Sequence, residues 1–190
     1  MSNRKAAFSA ENYDGDILNT IPYYDEVYNQ IADVVSVAFL NKAVSWLDVG
    51  CGTGRMEKVA LEQCNVEKMI CIDESSVMLE IAKQKIGSFY VDFFKLPTEE
   101  INYNLQFDMI TAILVNHYLA YEERMKKLYL KRWEKYQYSK GKSIKECEKH
   151  LSRNNMEYFP ITIQEQIRIL KECGFRSIEI FCVSICVLVF

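Results

Sequence analysis

The sequence LDVGCGTGR, residues 47–55, places three glycines within five positions directly after a short apolar run. That run, Val44–Val49, is β-branched at both ends, as expected of a buried strand in a parallel sheet. The apolar side chains of residues 55–64 then recur at helical spacing. A strand, closely spaced glycines and a helix in this order expose backbone amides at the carboxyl edge of a sheet. The feature therefore predicts a loop whose backbone approaches a ligand closely.

Of two common nucleotide-binding loops, these glycines exclude one and weaken the case for the other. A Walker loop needs Gly-Lys-Ser/Thr, whereas Gly54 is followed here by Arg55 and Met56. A dinucleotide fingerprint places its third glycine three positions after the second, where this chain has Arg55. The remaining interpretation is S-adenosylmethionine, whose carboxylate and ammonium need amide donors and carbonyl acceptors rather than a diphosphate pocket.

The segments around this loop alternate between helical and strand-like patterns, which is typical of an α/β fold. The chain has 190 residues, 49% of them hydrophobic, which is enough for one globular domain with a continuous core. Besides the strand over 44–49, we predict helices over 21–40, 55–64 and about 76–85, and strands over 68–73, 89–91 and 107–115. The last of these strands is apolar enough for a central place in the sheet.

The pattern becomes mainly helical after residue 120. The spacing of aromatic and apolar side chains predicts a long amphipathic helix over 121–138. Two matches to the capping box S/T-x-x-E predict the starts of further helices, at Ser143 with Glu146 and at Thr162 with Glu165. The second of these helices is expected to end at Cys173, with Gly174 in the left-handed conformation. Residues 177–190 read as one or two strands.

Charge and cysteine usage exclude several classes of protein. The formal net charge of −3 gives no overall attraction to nucleic acid or to an anionic membrane. No signal-peptide core and no apolar stretch of about 18–20 residues is present, so we expect a cytoplasmic protein without a membrane partner. The seven cysteines show no CxxC spacing, and no cluster has metal-ligand spacing. We therefore expect neither a disulfide framework nor a metal site.

The order of these motifs resembles that of class I S-adenosylmethionine-dependent methyltransferases. The residues that carry the resemblance are the LDVGCGTG motif (47–54), Ile72 and Asp73 at the end of the second strand, and Asp92 at the end of the third. The resemblance covers residues 20–120 and implies a Rossmann-like α/β sandwich with a mostly parallel sheet. The single domain 1–190 would then comprise an N-terminal helical lid (1–43), a cofactor-binding half (44–120), a helical insertion (121–176) and a terminal strand or hairpin (177–190).

The resemblance also implies which residues hold S-adenosylmethionine and its product, S-adenosylhomocysteine. Asp48 would anchor the glycine loop and, through it, the amino group of the cofactor, and Asp73 would accept from both ribose hydroxyls. Asp92 would accept from the adenine amine, with Phe93 beside the ring. Met78 fits either adenine packing or the core. The full set is Asp48, Gly50, Cys51, Gly52, Gly54, Asp73, Glu74, Met78, Asp92 and Phe93.

Candidate catalytic and acceptor-binding residues lie outside the cofactor motifs. Methyl transfer is an in-line displacement, so alignment of the acceptor is the main task of the protein. His117 follows the predicted fourth strand and is interpreted as a base or orienting group aided by Asn116 or Tyr118, although a structural histidine fits equally well. Packing within an amphipathic helix is the alternative role of the aromatic side chains. The acceptor-binding candidates are Tyr13, Tyr23, Tyr24, Arg132 and Trp133.

One departure from the family pattern concerns the sheet. The family usually has a fifth parallel strand, introduced by a Gly-Gly turn, and residues 125–138 pass between helical patterns without such a strand. Either the terminal strands pair with the fourth strand or another chain covers the exposed edge. The terminal FCVSICVLVF has low charge and high β-propensity, so a homodimer formed at this edge or by a swapped strand is one expectation.

The sequence therefore leaves two function classes open. The first is a methyltransferase acting on a small-molecule acceptor, and the second is a catalytically impaired S-adenosylmethionine-binding or regulatory protein that lacks part of the acceptor wall. A variant of the first, an RNA methyltransferase, is suggested by eleven Lys or Arg against five acids in residues 122–153. We rank this variant last, because a charged helical face is usually solvated and the Asn-Pro-Pro-Tyr type motif is absent.

Overall fold

The computed structural model describes residues 9–40, 42–97, 100, 106–114, 133–152, 163–175, 178, 182–183 and 188–189. These residues divide into two compact units. The first, which we call the sheet unit, comprises residues 9–14 and 25–115. The second, which we call the helical unit, comprises residues 15–24 and the described residues from 133 onward. The sequence-based prediction of a single domain stays a prediction.

Four parallel strands form the centre of the sheet unit. They are β1 (Val44–Val49), β2 (Val66–Asp73), β3 (Asp92–Lys95) and β4 (Met109–Thr111). The spatial order is β3-β2-β1-β4, and every neighbouring pair is parallel. Because sequence neighbours β1 and β2 are adjacent and the chain then returns to place β4 on the other side of β1, the sheet has the topology of a Rossmann-like fold. The predicted α/β class is confirmed.

The two faces of this sheet differ in chemistry. Alternate residues of a strand point to opposite faces. One face carries a core cluster of aliphatic side chains, against which Leu96 and Phe107 pack; the cluster consists of Leu47, Val49, Ile70 and Ile72. The opposite face carries the buried residues Trp46, Asp48, Cys71 and Thr111. The second face therefore brings polar groups into the interior directly beneath the glycine loop.

The helices of the first ninety residues agree closely with the sequence-based predictions. A short 3-10 helix, Ala10–Asn12, precedes α1 (Tyr13–Leu18), α2 (Tyr24–Phe39), α3 (Arg55–Gln63) and α4 (Ser76–Ile86). Ser75 caps α4, because its hydroxyl oxygen accepts a hydrogen bond from the amide of Met78 at 3.3 Å. α3 and α4 pack against each other and against β2.

The prediction of the third strand is wrong by about three residues. The expected strand 89–91 ends at Asp92, whereas the observed β3 begins at Asp92 and runs to Lys95. Phe89 and Tyr90 are instead exposed, at 54% and 86%. The physical reason is the hydrogen-bonded pairing of the strands, in which residues 92–95 lie in register with residues 70–73 of β2. This pairing determines which part of the aromatic run becomes the strand.

The prediction of the fourth strand is also corrected. Residues 107–115 are expected as a central strand, but β4 covers only Met109–Thr111 and lies at one end of the four-strand order among the described strands. Leu114 has a positive φ of 58°, which is incompatible with continued extended backbone. Apolar composition alone therefore predicts neither the length of this strand nor its place in the sheet.

The helical unit contains α5 (described over residues 133–139), α6 (Ile144–Leu151) and α7 (Ile163–Glu172). The capping box at α6 is confirmed: the Ser143 amide donates to Glu146 at 2.8 Å, and the Glu146 amide donates to the Ser143 hydroxyl oxygen at 3.4 Å. α7 ends one residue before the expected Cys173, and Gly174 has the expected left-handed φ of 96°. Thr162 lies outside the described residues.

Two short strands complete the helical unit. β5 (Cys182–Val183) and β6 (Leu188–Val189) pair in antiparallel fashion with each other. In the described part of the chain, no helix has the length and apolarity needed to cross a membrane. Five of the cysteines in that part are free thiols: Cys51, Cys64, Cys71, Cys147 and Cys173.

Candidate cofactor site

The glycine loop, residues 50–54, has a backbone conformation that residues with a side chain rarely adopt. Gly50, Gly52 and Gly54 have φ values of 69°, 55° and 81°, all in the left-handed region. A Cβ at position 54 would lie 3.0 Å from the Cβ of Ala82 in α4, so Gly54 also allows the loop and α4 to approach closely. At position 52 an added Cβ would meet nothing within 4 Å. The loop is therefore a bare backbone surface beside open space.

The carboxyl end of β2 holds this loop in place. The amides of Gly50 and Cys51 both donate to the carbonyl oxygen of Ile72, at 2.7 and 3.0 Å. The Asp73 carboxylate then accepts from the Gly52 amide at 2.9 Å and, through its other oxygen, from the Ser75 amide at 2.8 Å. Asp73 thus joins the loop to the start of α4. Each carboxylate oxygen has a further lone pair, so these bonds leave Asp73 able to accept from ligand hydroxyls.

Asp48 lies beneath the loop rather than beside its amides. Its side chain is only 3% exposed and accepts from the Thr111 hydroxyl at 2.5 Å, and Thr111 in turn accepts from the Trp46 indole at 2.8 Å. Burial, followed by the nearby carboxyl of Glu57, raises the pKa of Asp48 well above its ordinary value. Among the described contacts, the anchoring of the loop amide that the resemblance implied for Asp48 is made by Asp73.

Glu57 is a buried acid that the sequence-based analysis missed. It lies on α3 with an exposed fraction of 0%, and neither of its carboxylate oxygens accepts a hydrogen bond from the described residues. The Cys71 thiol and the Asp48 carboxyl are close enough to affect its pKa, but they do not reach hydrogen-bond geometry. Burial is the largest influence, and it raises the pKa of Glu57. The signal in the sequence was an acid between the inward-facing Met56 and Val59.

A second polar cluster ties residues before α2 to the loop. The Thr53 hydroxyl contacts the Asp14 carboxylate at 2.5 Å, and the Lys85 ammonium donates to Asp14 at 2.6 Å and to Thr53 at 3.1 Å. Arg55, the first residue of α3, forms an ion pair with Asp25 of α2 at 2.7 Å. No sequence pattern pointed to either contact, because their partners are at least thirty residues apart in the chain.

The other cofactor candidates lie in different surroundings. Cys51 and Met78 are buried and Glu74 is exposed, whereas Asp92 and Phe93 are half-buried. Burial raises the pKa of the Cys51 thiol, which is therefore a neutral group of the loop. The register pairs Asp92 with Ile70 rather than with Asp73, so Asp92 begins β3 instead of closing it. The adenine roles of Asp92 and Phe93 were argued partly from a position at the end of the third strand, and that argument no longer holds. The roles stay predictions.

The acceptor-binding candidates are only partly described. Tyr13 is half-buried, Tyr23 is 60% exposed with a φ of 59°, and Tyr24 is buried. Trp133 is also buried, and its indole donates to the Thr20 carbonyl at 2.6 Å, which is a packing role. The remaining candidates, His117, Tyr118 and Arg132, lie outside the described residues.

The described site residues fit S-adenosylmethionine. Bare loop backbone beside open space accommodates an amino-acid moiety, and Asp73 at the end of β2 provides acceptors at the position where a ribose lies in Rossmann-like folds. The acids Asp48, Glu57 and Asp73 cluster at this edge, and such surroundings disfavour an anionic diphosphate. No group of three or more potential metal ligands occurs in the part of the chain that the structure describes.

Comparison with known proteins also points to a methyltransferase. Residues 47–132 match a family described as a methyltransferase domain. A malonyl-[acyl-carrier protein] O-methyltransferase of Priestia megaterium is 29% identical over 84 residues, which are 44% of this chain and 31% of that protein. The chain thus spans about a third of that relative. A carboxy-S-adenosyl-L-methionine synthase of Nautilia profundicola is 28% identical over 87% of this chain and 83% of its own length.

The fold is shared with a solved enzyme. The plantazolicin methyltransferase BpumL, solved in complex with S-adenosylhomocysteine, aligns with 87% of this chain and 68% of its own, at a TM-score of 0.57 and 17% identity. Residues 47–132 are therefore similar to a methyltransferase domain, and the sheet order and the glycine loop agree with that likeness.

Proposed function

We propose that this protein transfers a methyl group from S-adenosylmethionine to a small-molecule acceptor. The observation that carries the proposal is the loop of three left-handed glycines bonded to Asp73 at the carboxyl edge of a parallel sheet. Such a loop offers amides without side chains, and Asp73 offers acceptors beside it. The match to a methyltransferase domain over residues 47–132 supports the same activity.

The bound cofactor would supply an activated methyl group on a positively charged sulfur. The acceptor nucleophile would take this methyl group by in-line displacement. The residues of this chain would act mainly by positioning. Gly52 and its neighbours fix the amino-acid end, and Asp73 fixes the ribose hydroxyls. Asp48 lies beneath the loop, where the Thr111 hydroxyl donates to its carboxyl group.

For the acceptor, we propose His117 with Tyr118 as the group that accepts or orients a proton of the nucleophile. Both residues follow β4 in the sequence, His117 by six positions, and this supports the proposal because ligands of Rossmann-like folds bind at the carboxyl ends of the strands. Tyr13 and Tyr23 are proposed as acceptor contacts, whereas the buried Trp133 is proposed as a packing residue.

The proposed activity is tested by titration and by turnover. Isothermal titration with S-adenosylmethionine, NAD and ATP is expected to show saturable binding of the first alone. A panel of small carboxylic acids, amines and phenols is then incubated with the methyl-labelled cofactor, and release of S-adenosylhomocysteine is measured. Release that depends on one acceptor supports the proposal. Binding of the cofactor without release on any acceptor supports the non-catalytic alternative, and binding of NAD in its place contradicts both.

A homodimer is proposed as the assembly. Among the described strands β4 lies at one end of the sheet, which is the edge expected to be bare, and Ile110 on it is 56% exposed. An exposed apolar edge favours association, here by direct pairing or by a swapped terminal strand. Light scattering after size exclusion is expected to give twice the mass of the chain, and a monomer at all concentrations would contradict the dimer.

A further inference from the structure

The buried carboxyl groups of Asp48 and Glu57 form a pair that the proposed methyl transfer does not account for. Asp48 lies on β1 with 3% of its surface exposed, and Glu57 lies on α3 with none exposed. The two acids lie close enough to affect each other's pKa, and ionising either of them away from solvent costs free energy. Such a pair loses its protons in two separate steps, and between those steps it holds one proton.

The groups facing the pair do not neutralise it. Cys71 and Asp73 face it from β2, Cys51 faces it from the loop, and Lys85 faces it from α4. Both thiols have pKa values raised by burial, so they are neutral, and Asp73 adds further negative charge. Lys85 is the described cation that faces Glu57, and its ammonium already pairs with Asp14 at 2.6 Å.

Glu57 differs from Asp48 in its hydrogen bonds. Both of its oxygens are buried and accept no hydrogen bond from the described residues, whereas Asp48 is bonded to Thr111. A cation brought near the pair would favour loss of the proton that the pair holds. A buried polar atom without a partner costs free energy and therefore needs an explanation. Because Glu57 is fully buried, an effect on a ligand has to pass through a neighbour, and Asp48 is the nearby acid.

We propose that Glu57 is a positioning residue that shares one proton with Asp48, and that the pair releases this proton when the cationic cofactor binds. In the free protein the pair carries one proton and one negative charge. With the sulfonium and ammonium nearby, the proton leaves to solvent and the pair carries two negative charges. The pair thereby favours S-adenosylmethionine, with net charge +1, over S-adenosylhomocysteine, which has no net charge.

This inference rests on the proposed cofactor and adds a specificity to it. Discrimination by charge would make release of the product easier than release of the cofactor. Because protons leave on binding, linkage requires affinity to rise with pH while the pair of the free protein is still protonated. The opposite dependence would hold if the ligand were an anion.

The test is isothermal titration of the full chain at pH 5.5 to 7.0, where the ammonium groups of both ligands stay protonated. Each ligand is titrated in two buffers of different ionisation enthalpy, which gives the number of protons released. Wild-type protein is expected to release close to one proton on binding S-adenosylmethionine and far less with S-adenosylhomocysteine. Its Kd for the former is expected to fall by up to about ten-fold per pH unit.

The variant Glu57→Gln keeps the shape of a protonated glutamate but has no proton to lose. Its Kd is expected to be independent of pH and to lie near the wild-type value at the lowest pH. Glu62→Gln, an exposed position of the same helix, is the matched control and is expected to behave as wild type. Equal proton release by Glu57→Gln and wild type, or equal release with both ligands, would overturn the inference.

Two outcomes separate this inference from the proposed function. If wild-type protein binds neither ligand, the proposed function fails and the proton-linked pair fails with it. If it binds S-adenosylmethionine without releasing a proton, only the inference is wrong. Should Glu57→Gln fail to fold, the comparison of the two ligands on wild-type protein decides the question alone.

Discussion

The glycine loop and the buried carboxyl pair lie one above the other at the end of β1, yet their acids are stabilised in opposite ways. Asp73 beside the loop accepts from two backbone amides, at 2.9 and 2.8 Å. Asp48 beneath the loop has Glu57 as a buried neighbour, and burial raises the pKa of both. Backbone amides stabilise a charged carboxylate, whereas a second buried acid favours a proton. The same residue type therefore builds a rigid ligand surface in one region and a titratable interior in the other.

The sharpest test of the rigid region is Gly54→Ala. The change combines a φ of 81° with a Cβ 3.0 Å from that of Ala82. Strain and overpacking together are expected to lower the free energy of unfolding by about 2–4 kcal/mol. Gly52→Ala, with φ 55° and open space around the Cβ, carries the strain alone and is expected to cost about 1–2 kcal/mol. Urea unfolding of both variants measures the difference, and equal losses would show that contact with α4 is unimportant.

The variant Asp73→Ala tests whether the acid beside the loop binds the cofactor. Loss of the charge-assisted hydrogen bonds is expected to weaken S-adenosylmethionine binding by roughly 1.5–3 kcal/mol. Glu62→Ala, which removes an exposed acid, is the control for overall charge. Titration calorimetry at one pH gives both values. An unchanged affinity in Asp73→Ala would mean that the ribose is bound elsewhere.

The titratable region is tested by the pH dependence of stability. Because the pKa of Glu57 is raised in the folded protein, the folded state holds a proton more tightly than the unfolded chain does. The free energy of unfolding is therefore expected to fall as pH rises above the ordinary carboxyl range, by up to about 1.4 kcal/mol per pH unit for one proton. Glu57→Gln should flatten this slope by about one proton. Urea titrations from pH 5 to pH 8 measure it, and an unchanged slope would assign the proton to another group.

The smallest effect is expected at Lys85, which links the two regions through Thr53 and faces Glu57. Its ion pair with Asp14 is partly exposed, so Lys85→Gln is expected to cost about 0.5–1 kcal/mol in low salt and less in high salt. Lys83→Gln breaks the exposed pair with Glu80 on the same helix and serves as the control. Equal losses in the two variants would mean that the contact with the loop adds nothing.

The sequence predicted the glycine loop and most helices because their signals are local. Three glycines after a strand, the hydroxyl of Ser75 and the Ser143–Glu146 box each determine the backbone within a few residues. The α/β class followed from the alternation of such segments. These are the parts of the fold in which short-range chemistry and tertiary structure agree.

The errors came from properties that depend on distant partners. The position of β3 is determined by its register with β2, which no residue of the aromatic run 89–94 encodes on its own. The place of β4 depends on which strands flank it. Glu57 was overlooked because a helical acid is normally solvated, and only the packing of α3 on the sheet shows that this one is buried. The roles of His117, Tyr118 and Arg132 remain predictions.

The most direct test of the central claim is a crystal structure of the protein with S-adenosylhomocysteine. The ligand is expected to lie against the backbone of residues 50–54, with its ribose hydroxyls within hydrogen-bond distance of the Asp73 carboxylate. A ligand bound elsewhere, or a loop whose bare backbone is covered by a side chain of this protein, would contradict the account.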